Sequence, residues 1–284
     1  MSDDRYAQLL ADLQAANSEE ERFWISMRFN LEELPPAVQE MVWAAAVPHW
    51  FDREFLTALV DQNEISDTDF ESLLDLSYIE EFPQRGWNMH ERTRAMLLDH
   101  LWEQERERYR ELSRRAADYC AQQEEEKPLW RMEMIYHLLI AEPELGADIL
   151  QSTGWEWQNS PNFAYDNVGA MASFAREHAE AGRLTERGLG WTLFWQAHLD
   201  KIYSRNYEAK RKLQQIKVSE DEDPNLKANC IRALGDVHLR MSEYEEAREK
   251  YEEARPIYAA IGDRLGEANC IRALGDVHLR MSEY

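Results

Sequence analysis

Apolar residues recur at three- and four-residue spacing along almost the whole chain, while strand-like alternation is confined to one short stretch. Such a pattern predicts helices throughout, interrupted by a single hairpin. Tyr6, Leu9, Leu10 and Leu13 mark a first amphipathic helix, and Asn17-Ser18 followed by Glu21 reads as a capping box opening a second, through Phe23, Ile25 and Phe29. Pro35-Pro36 starts a third through Trp43 and Ala46, and residues 51–60 form a fourth. Thr68-x-x-Glu71 predicts the cap of a fifth, which carries Phe70, Leu73, Leu74 and Leu76. Residues 78–82, the turn Pro83–Gly86 and residues 87–90 predict two paired strands. One long helix is expected from Glu91 to Gln123, with Leu98, Leu101, Tyr109, Leu112, Ala116 and Tyr119 as its buried stripe. Further helices are expected to end near Ala141, to restart after Pro143, and to run near residues 163–181 and 185–204. Trp155-Glu156-Trp157 would lead into a loop at 158–162.

The pattern becomes periodic near the C-terminus. Residues 228–244 recur without a change as residues 268–284, forty positions later, and Asn206–Ile216 echoes the second half of the unit through Tyr207-Glu208-Ala209. Repetition at this period predicts stacked helical hairpins. One helix is expected over roughly 226–241 and its partner over 244–261. Gly235 would let the partner approach closely, with Ala247 and Ala254 small for the same reason, while Ile231, Leu234, Tyr251 and Tyr258 fill the seam. His238 and His278 read as packing residues, and Gly262-Asp263 ends the second helix. The last helix is followed by no partner, so the chain reads as a truncated array in which Ile271, Leu274 and Val277 lose part of their cover.

Composition supports an all-α reading, because Gly and Pro are sparse at 11 and 9 of 284 residues. The three cysteines, Cys120, Cys230 and Cys270, have no CxxC spacing and read as small packing residues of a reduced compartment. No run of 18 apolar residues exists and the N-terminus lacks a signal-peptide pattern, so a cytoplasmic location and no membrane contact are expected. The formal net charge is −23, with acidic runs at Glu124–Glu126 and Ser219–Asp223. That charge repels nucleic acid and favours cationic segments as partners.

The repeat, Ile231-x2-Leu234-Gly235-x2-His238, then Ala247-x3-Tyr251-x2-Ala254 and Pro256, resembles the tetratricopeptide pattern, with a unit lengthened from the usual 34 residues. A second resemblance lies upstream. Leu34-Pro35-Pro36, Phe51-Asp52-Arg53-Glu54 and Asn88-Met89-His90-Glu91-Arg92-Thr93-Arg94 resemble the winged helix of STAND NTPases, the signal-transduction ATPases that include apoptosome and plant resistance proteins. The winged helix of that family ends in a Met-His-Asp motif whose His senses bound ADP. Met89-His90 matches and Glu91 replaces the Asp, so the resemblance implies a nucleotide-sensing role for His90 where an NTPase is present. Glu133–Leu139 resembles the helical connector of bacterial members with tetratricopeptide sensors. The chain itself holds no GxxxxGK[ST] loop, and Gly188-Leu189-Gly190 is a bare GxG in helical sequence.

Catalytic chemistry is not legible. His90–Arg94 fails the HExxH pattern, Glu133 and His137 read as a hydrogen-bonded pair on a helix surface, and no nucleophile elbow appears. The helix that would enter a DNA groove carries Asp67, Asp69, Glu71 and Asp75 without a base, and Arg85 is the only cation of the wing, so DNA binding is not expected.

The expected fold is therefore all-α, a winged-helix unit and helical connector followed by a right-handed tetratricopeptide solenoid. Its segments are 1–34 (N-terminal helices), 35–92 (winged-helix-like), 93–218 (connector with degenerate repeat-like helices) and 226–284 (repeats). The expected function is non-catalytic, with no cofactor: a sensor or scaffold arm that binds a protein or peptide on the concave face. The alternative is part of a nucleotide-dependent switch or transcription regulator whose ATPase or effector lies outside this chain. Partner-binding residues would be Asn229, Arg232, Asp236 and Arg240, repeated as Asn269, Arg272, Asp276 and Arg280. Asn can bond an extended peptide's backbone and Arg can fork onto its carboxylates. Self-association through the truncated last repeat is also expected to be open to the chain.

Overall fold

The computed structural model describes residues 3–60, 64–123, 127–161, 164–219 and 221–282. The acidic run Glu124–Glu126, loop residues Asn162 and Phe163, and Tyr284 lie outside them. The chain divides into two compact units, Met1–Gln123 and Glu124–Tyr284, and the division falls within the segment expected as a connector.

The first unit contains α1 (Asp3–Ala15), α2 (Glu19–Glu33), α3 (Pro36–Ala45), α4 (Arg53–Val60), α5 (Asp67–Leu74), the strands β1 (Ile79–Phe82) and β2 (Gly86–Met89), α6 (Glu91–Gln104) and α7 (Arg106–Ala121). Ser18 caps α2 by accepting the Glu21 N–H at 3.0 Å, while the Glu21 carboxylate reaches back to the Asn17 N–H at 2.7 Å. α5 begins earlier than expected, because Ser66 rather than Thr68 accepts the capping bond, from Asp69 N–H at 3.1 Å. β1 and β2 pair antiparallel with Ile79 opposite Met89, as the alternation predicts.

Phe51 is not helical. Its backbone exchanges two hydrogen bonds of 2.8 Å with Trp87, and α4 starts two residues on, under the Asp52 carboxylate. This bridge explains Gly86, which takes φ of +93° and whose hypothetical Cβ would lie 2.4 Å from the Phe51 carbonyl oxygen. The expected long helix is broken at Glu105 (φ −131°, ψ 44°). Leu101, at the end of the first helix, and Tyr109, near the start of the second, lie on either side of the break. Both are buried. Arg94 is buried on α6 and donates to the carbonyls of Val47 and Pro48, each at 3.1 Å, so the buried backbone just past α3 is satisfied by a side chain.

Every regular element among the described residues of the second unit is a helix: α8 (Pro128–Ala141), α9 (Pro143–Gln158), α10 (Tyr165–Glu180), α11 (Glu186–Ile202), α12 (Asn206–Gln215), α13 (Pro224–Arg240), α14 (Tyr244–Ile261) and α15 (Arg264–Ser282). Trp155 and Trp157, expected to lead into a loop, lie in the last turns of α9. Trp155 meets Trp195 of α11 edge to face at 4.9 Å, and both α9 tryptophans pack with Leu139, Leu150, Met171, Trp191 and Phe194 in one core. Gly154 admits the Trp195 ring, since a Cβ there would sit 2.2 Å from it. Glu133 and His137 are not on a helix surface: both are fully buried on α8, 3.3 Å apart. α14 ends at Gly262 in the left-handed conformation (φ +76°), with the Asp263 N–H returning to the Tyr258 carbonyl at 2.9 Å. No helix of the described residues is long and apolar enough to cross a membrane.

Candidate functional site

Helices α13 and α15 carry the same side chains from Ala228 and Ala268 onward, so differences between them arise from their surroundings alone. α13 buries two faces. Leu226, Cys230, Ala233 and Val237 enter the core built around Trp191 and Trp195. Its second face receives α14: Ala228 and Ile231 pack with Ala254, Ile257 and Tyr258, and the Tyr251 ring lies over Gly235, where a Cβ would come within 2.7 Å of it. α15 buries only the first of these faces. Cys270, Ala273 and Val277 pack against α14, whereas Ile271 is 51% exposed against 5% for Ile231.

The predicted polar residues of α13 form a hydrogen-bonded network around the tyrosines of α14. Tyr258 donates its hydroxyl to Asn229 Oδ1 at 3.0 Å and accepts from Arg232 Nε at 3.2 Å. Tyr251 donates to Asp236 Oδ1 at 3.0 Å. The other Asp236 oxygen accepts Lys201 Nζ of α11 at 2.7 Å and lies 3.4 Å from Arg232. Arg240 reaches back to the Lys201 carbonyl. Asn229 is buried and Arg232 and Asp236 are half-buried, which corrects the expectation that the ladder is exposed on both helices. The cause is tyrosine at both seam positions of α14, long enough to carry a hydroxyl through to the polar side chains beyond.

Electrostatics reinforce this network. Burial alone would raise the Asp236 pKa, but Lys201, Arg232 and the Tyr251 hydroxyl hold it below the ordinary carboxylate range. His198, one turn before Lys201, is pushed down to about 3 by burial and by the cations Lys201, Arg232 and Arg240. Burial also pushes the Tyr258 hydroxyl up to about 12, so it remains a donor at neutral pH. Lys201 and His198 were not legible as site residues, because α11 lacks the repeat sequence and nothing in the chain sets their register against Asp236.

On α15 the same residues are free. Arg272, Asp276 and Arg280 are exposed, Asn269 is half-buried, and none of the four meets a side-chain partner among the described residues. His278 is exposed, whereas His238 is buried and its Nδ1 lies 2.6 Å from Glu243. Gly275 faces open space with nothing within 4 Å of a Cβ position. A cleft of about 460 Å³ borders this face, lined by Arg248 and Glu252 of α14 and by Leu274, Val277, His278 and Met281 of α15. In the first unit, His90 caps α6 through its backbone and leaves its half-exposed imidazole 3.3 Å from Glu80.

Comparison with known proteins fits the repeat reading. Residues 227–284 match the tetratricopeptide repeat family. No curated protein matches the chain. Among solved structures, a signal transduction ATPase with numerous domains (STAND) with a tetratricopeptide repeat sensor, from Pyrococcus horikoshii, aligns at 12% identity and a TM-score of 0.33. The alignment covers 99% of this chain and 55% of that one, so the chain spans little more than half its length.

Proposed function

We propose that this chain is a non-catalytic protein-interaction module, the sensor or scaffold arm of a STAND-type signalling protein. In this reading residues 35–92 are a winged-helix-like unit, residues 93–218 a helical connector and residues 226–284 the binding repeats. Tetratricopeptide repeats present helix faces to protein partners, and the observation that carries the proposal is the polar set of α15. Arg272, Asp276 and Arg280 are exposed and unengaged among the described residues, although their counterparts on α13 are held in a network. A partner docking on α15 would meet two guanidinium groups and an acid in fixed order. Capture there would bias how the winged-helix-like unit meets an ATPase module.

The test is selection of peptides from a display library against the immobilised full chain, followed by affinity measurements on Arg272→Glu/Arg280→Glu. The charge reversal should weaken the selected peptides at least about ten-fold, since charge-assisted contacts to each Arg would be lost. Arg53→Glu, on the first unit, should leave them unchanged. Selected peptides that bind the double variant as tightly as the parent would overturn the assignment.

A further inference from the structure

We infer that the cleft between α10, α11 and α12 binds a short acidic segment of a protein partner, anchored by an apolar side chain. The site is separate from α15 and lies wholly within the second unit. A space of about 580 Å³ opens where the C-terminal halves of α10 and α12 flank α11, a size that suits a few side chains. Its floor is apolar. Leu189 and Leu193, one turn apart on α11, are half-buried there beside Ile216. Gly190 shapes the wall behind them. A Cβ on Gly190 would come within 2.6 Å of Leu226 and 3.2 Å of Val218, so its absence lets the chain leaving α12 cross α11 closely. Val218 turns into the core, and Lys217 stays exposed at the rim.

The charges around this floor are sorted by element. Arg211, Lys212 and Lys217 belong to the end of α12 and the residues just past it, whereas the carboxylates Glu180 and Glu186 belong to the end of α10 and the start of α11. Lys212 is held by Asp200 of α11, and Arg176 of α10 pairs with Glu180 at 3.6 Å. Arg211 and Lys217 are exposed and make no hydrogen bond or ion pair among the described residues. A chain of net charge −23 favours cationic partners as a whole, so two unanswered cations beside an apolar floor are a local exception. Their complement is specific: carboxylates for Arg211 and Lys217, and an apolar side chain over Leu189 and Leu193. A nucleic-acid strand would leave that floor uncovered and bring phosphates towards Glu180 and Glu186. A basic segment would be repelled by Arg211 and Lys217.

The experiment selects dodecapeptides from a random display library on the intact chain carrying Arg272→Glu/Arg280→Glu, which removes ligands of α15. Recovered peptides are expected to combine Asp or Glu with Leu, Ile or Phe, and fluorescence anisotropy of labelled copies gives their affinities. Adding Arg211→Glu/Lys217→Glu should weaken them about ten-fold or more, because two attractions become repulsions. Thermal unfolding should not change with that reversal, since both side chains are exposed and unengaged among the described residues. Leu193→Ala should weaken the same peptides several-fold through lost apolar contact. No recovered peptide, a recovered set without acids, or affinities indifferent to the reversal would each overturn the inference. Saturable binding of dodecanoate that the reversal abolishes, with no acidic peptide recovered, would overturn it in favour of a small amphiphilic carboxylate. The arginines of α15 are already reversed in this background, so the reading of α15 stands or falls separately.

Discussion

Trp191 donates its indole N–H to Asp223 Oδ2 at 3.0 Å, the same oxygen that Arg187 Nε reaches at 2.8 Å. The other Asp223 oxygen caps α13 by accepting the Leu226 N–H at 2.8 Å. The start of the repeat region is thus held by two side chains of α11 one turn apart, and Arg187 also pairs with Glu144 and Asp148 on α9.

Arg187→Ala should destabilise the second unit by about 1–3 kcal/mol, because it strips a charge-assisted bond from a buried cap. Arg187→Lys should recover less than half of this, since one ammonium cannot span three carboxylates in the fork geometry. Urea unfolding followed by tryptophan fluorescence measures both.

Gly235→Ala and Gly275→Ala make the same change in the same local sequence and should have opposite signs. At Gly235 the new methyl meets the Tyr251 ring at 2.7 Å and should cost about 1–3 kcal/mol. At Gly275 it meets nothing, and alanine's better helix propensity should stabilise by up to about 1 kcal/mol. Equal effects of the two in denaturant titrations would contradict the difference in packing described for α13 and α15.

Lys201 and Asp236 should be energetically coupled. Lys201→Met leaves Asp236 with Arg232 and Tyr251 as partners in a half-buried site, and should cost about 1–3 kcal/mol. Asp236→Asn in the Lys201→Met background should cost much less than in the parent. A double-mutant cycle returning no interaction energy would contradict the network.

His198 makes stability depend on pH in a defined direction. Above its ordinary value of 6.5 the imidazole is neutral in both folded and unfolded chains and contributes no slope. Below that, the unfolded chain takes up a proton that the folded chain refuses until about pH 3, so stability falls as pH falls through this window. The slope from this one group is at most about 1.4 kcal/mol per pH unit. His198→Phe should remove that share when denaturation is compared at pH 7 and pH 4.5.

Periodic apolar spacing made nearly every helix legible, and the α14 boundaries agree residue for residue with the expectation, because glycine, proline and capping residues punctuate the chain. The errors share a physical origin in tertiary contacts. The Phe51–Trp87 bridge pulled residue 51 out of its helix, and the backbone at Glu105 divides into two helices an apolar stripe that the sequence presents as one. Trp155 and Trp157 stayed helical because the core around Trp195 takes them in. For the candidate site, the ladder residues were legible but their occupancy was not. Whether Asn229 and Arg232 face solvent depends on the reach of Tyr258, which spacing alone does not report.

Two equivalent berths for one helix have a consequence for folding. Contact chemistry does not tell the α13 and α15 surfaces apart, so α14 must be directed to its native berth by something else. α13 is anchored on the tryptophan core through Ala233 and Val237, whereas the matching residues of α15 pack chiefly on α14. The short turn at residues 241–243 and this anchorage of α13 together favour the native pairing. Mutations that loosen α13 from the core would let the two identical surfaces compete, and would show as a slow phase in refolding.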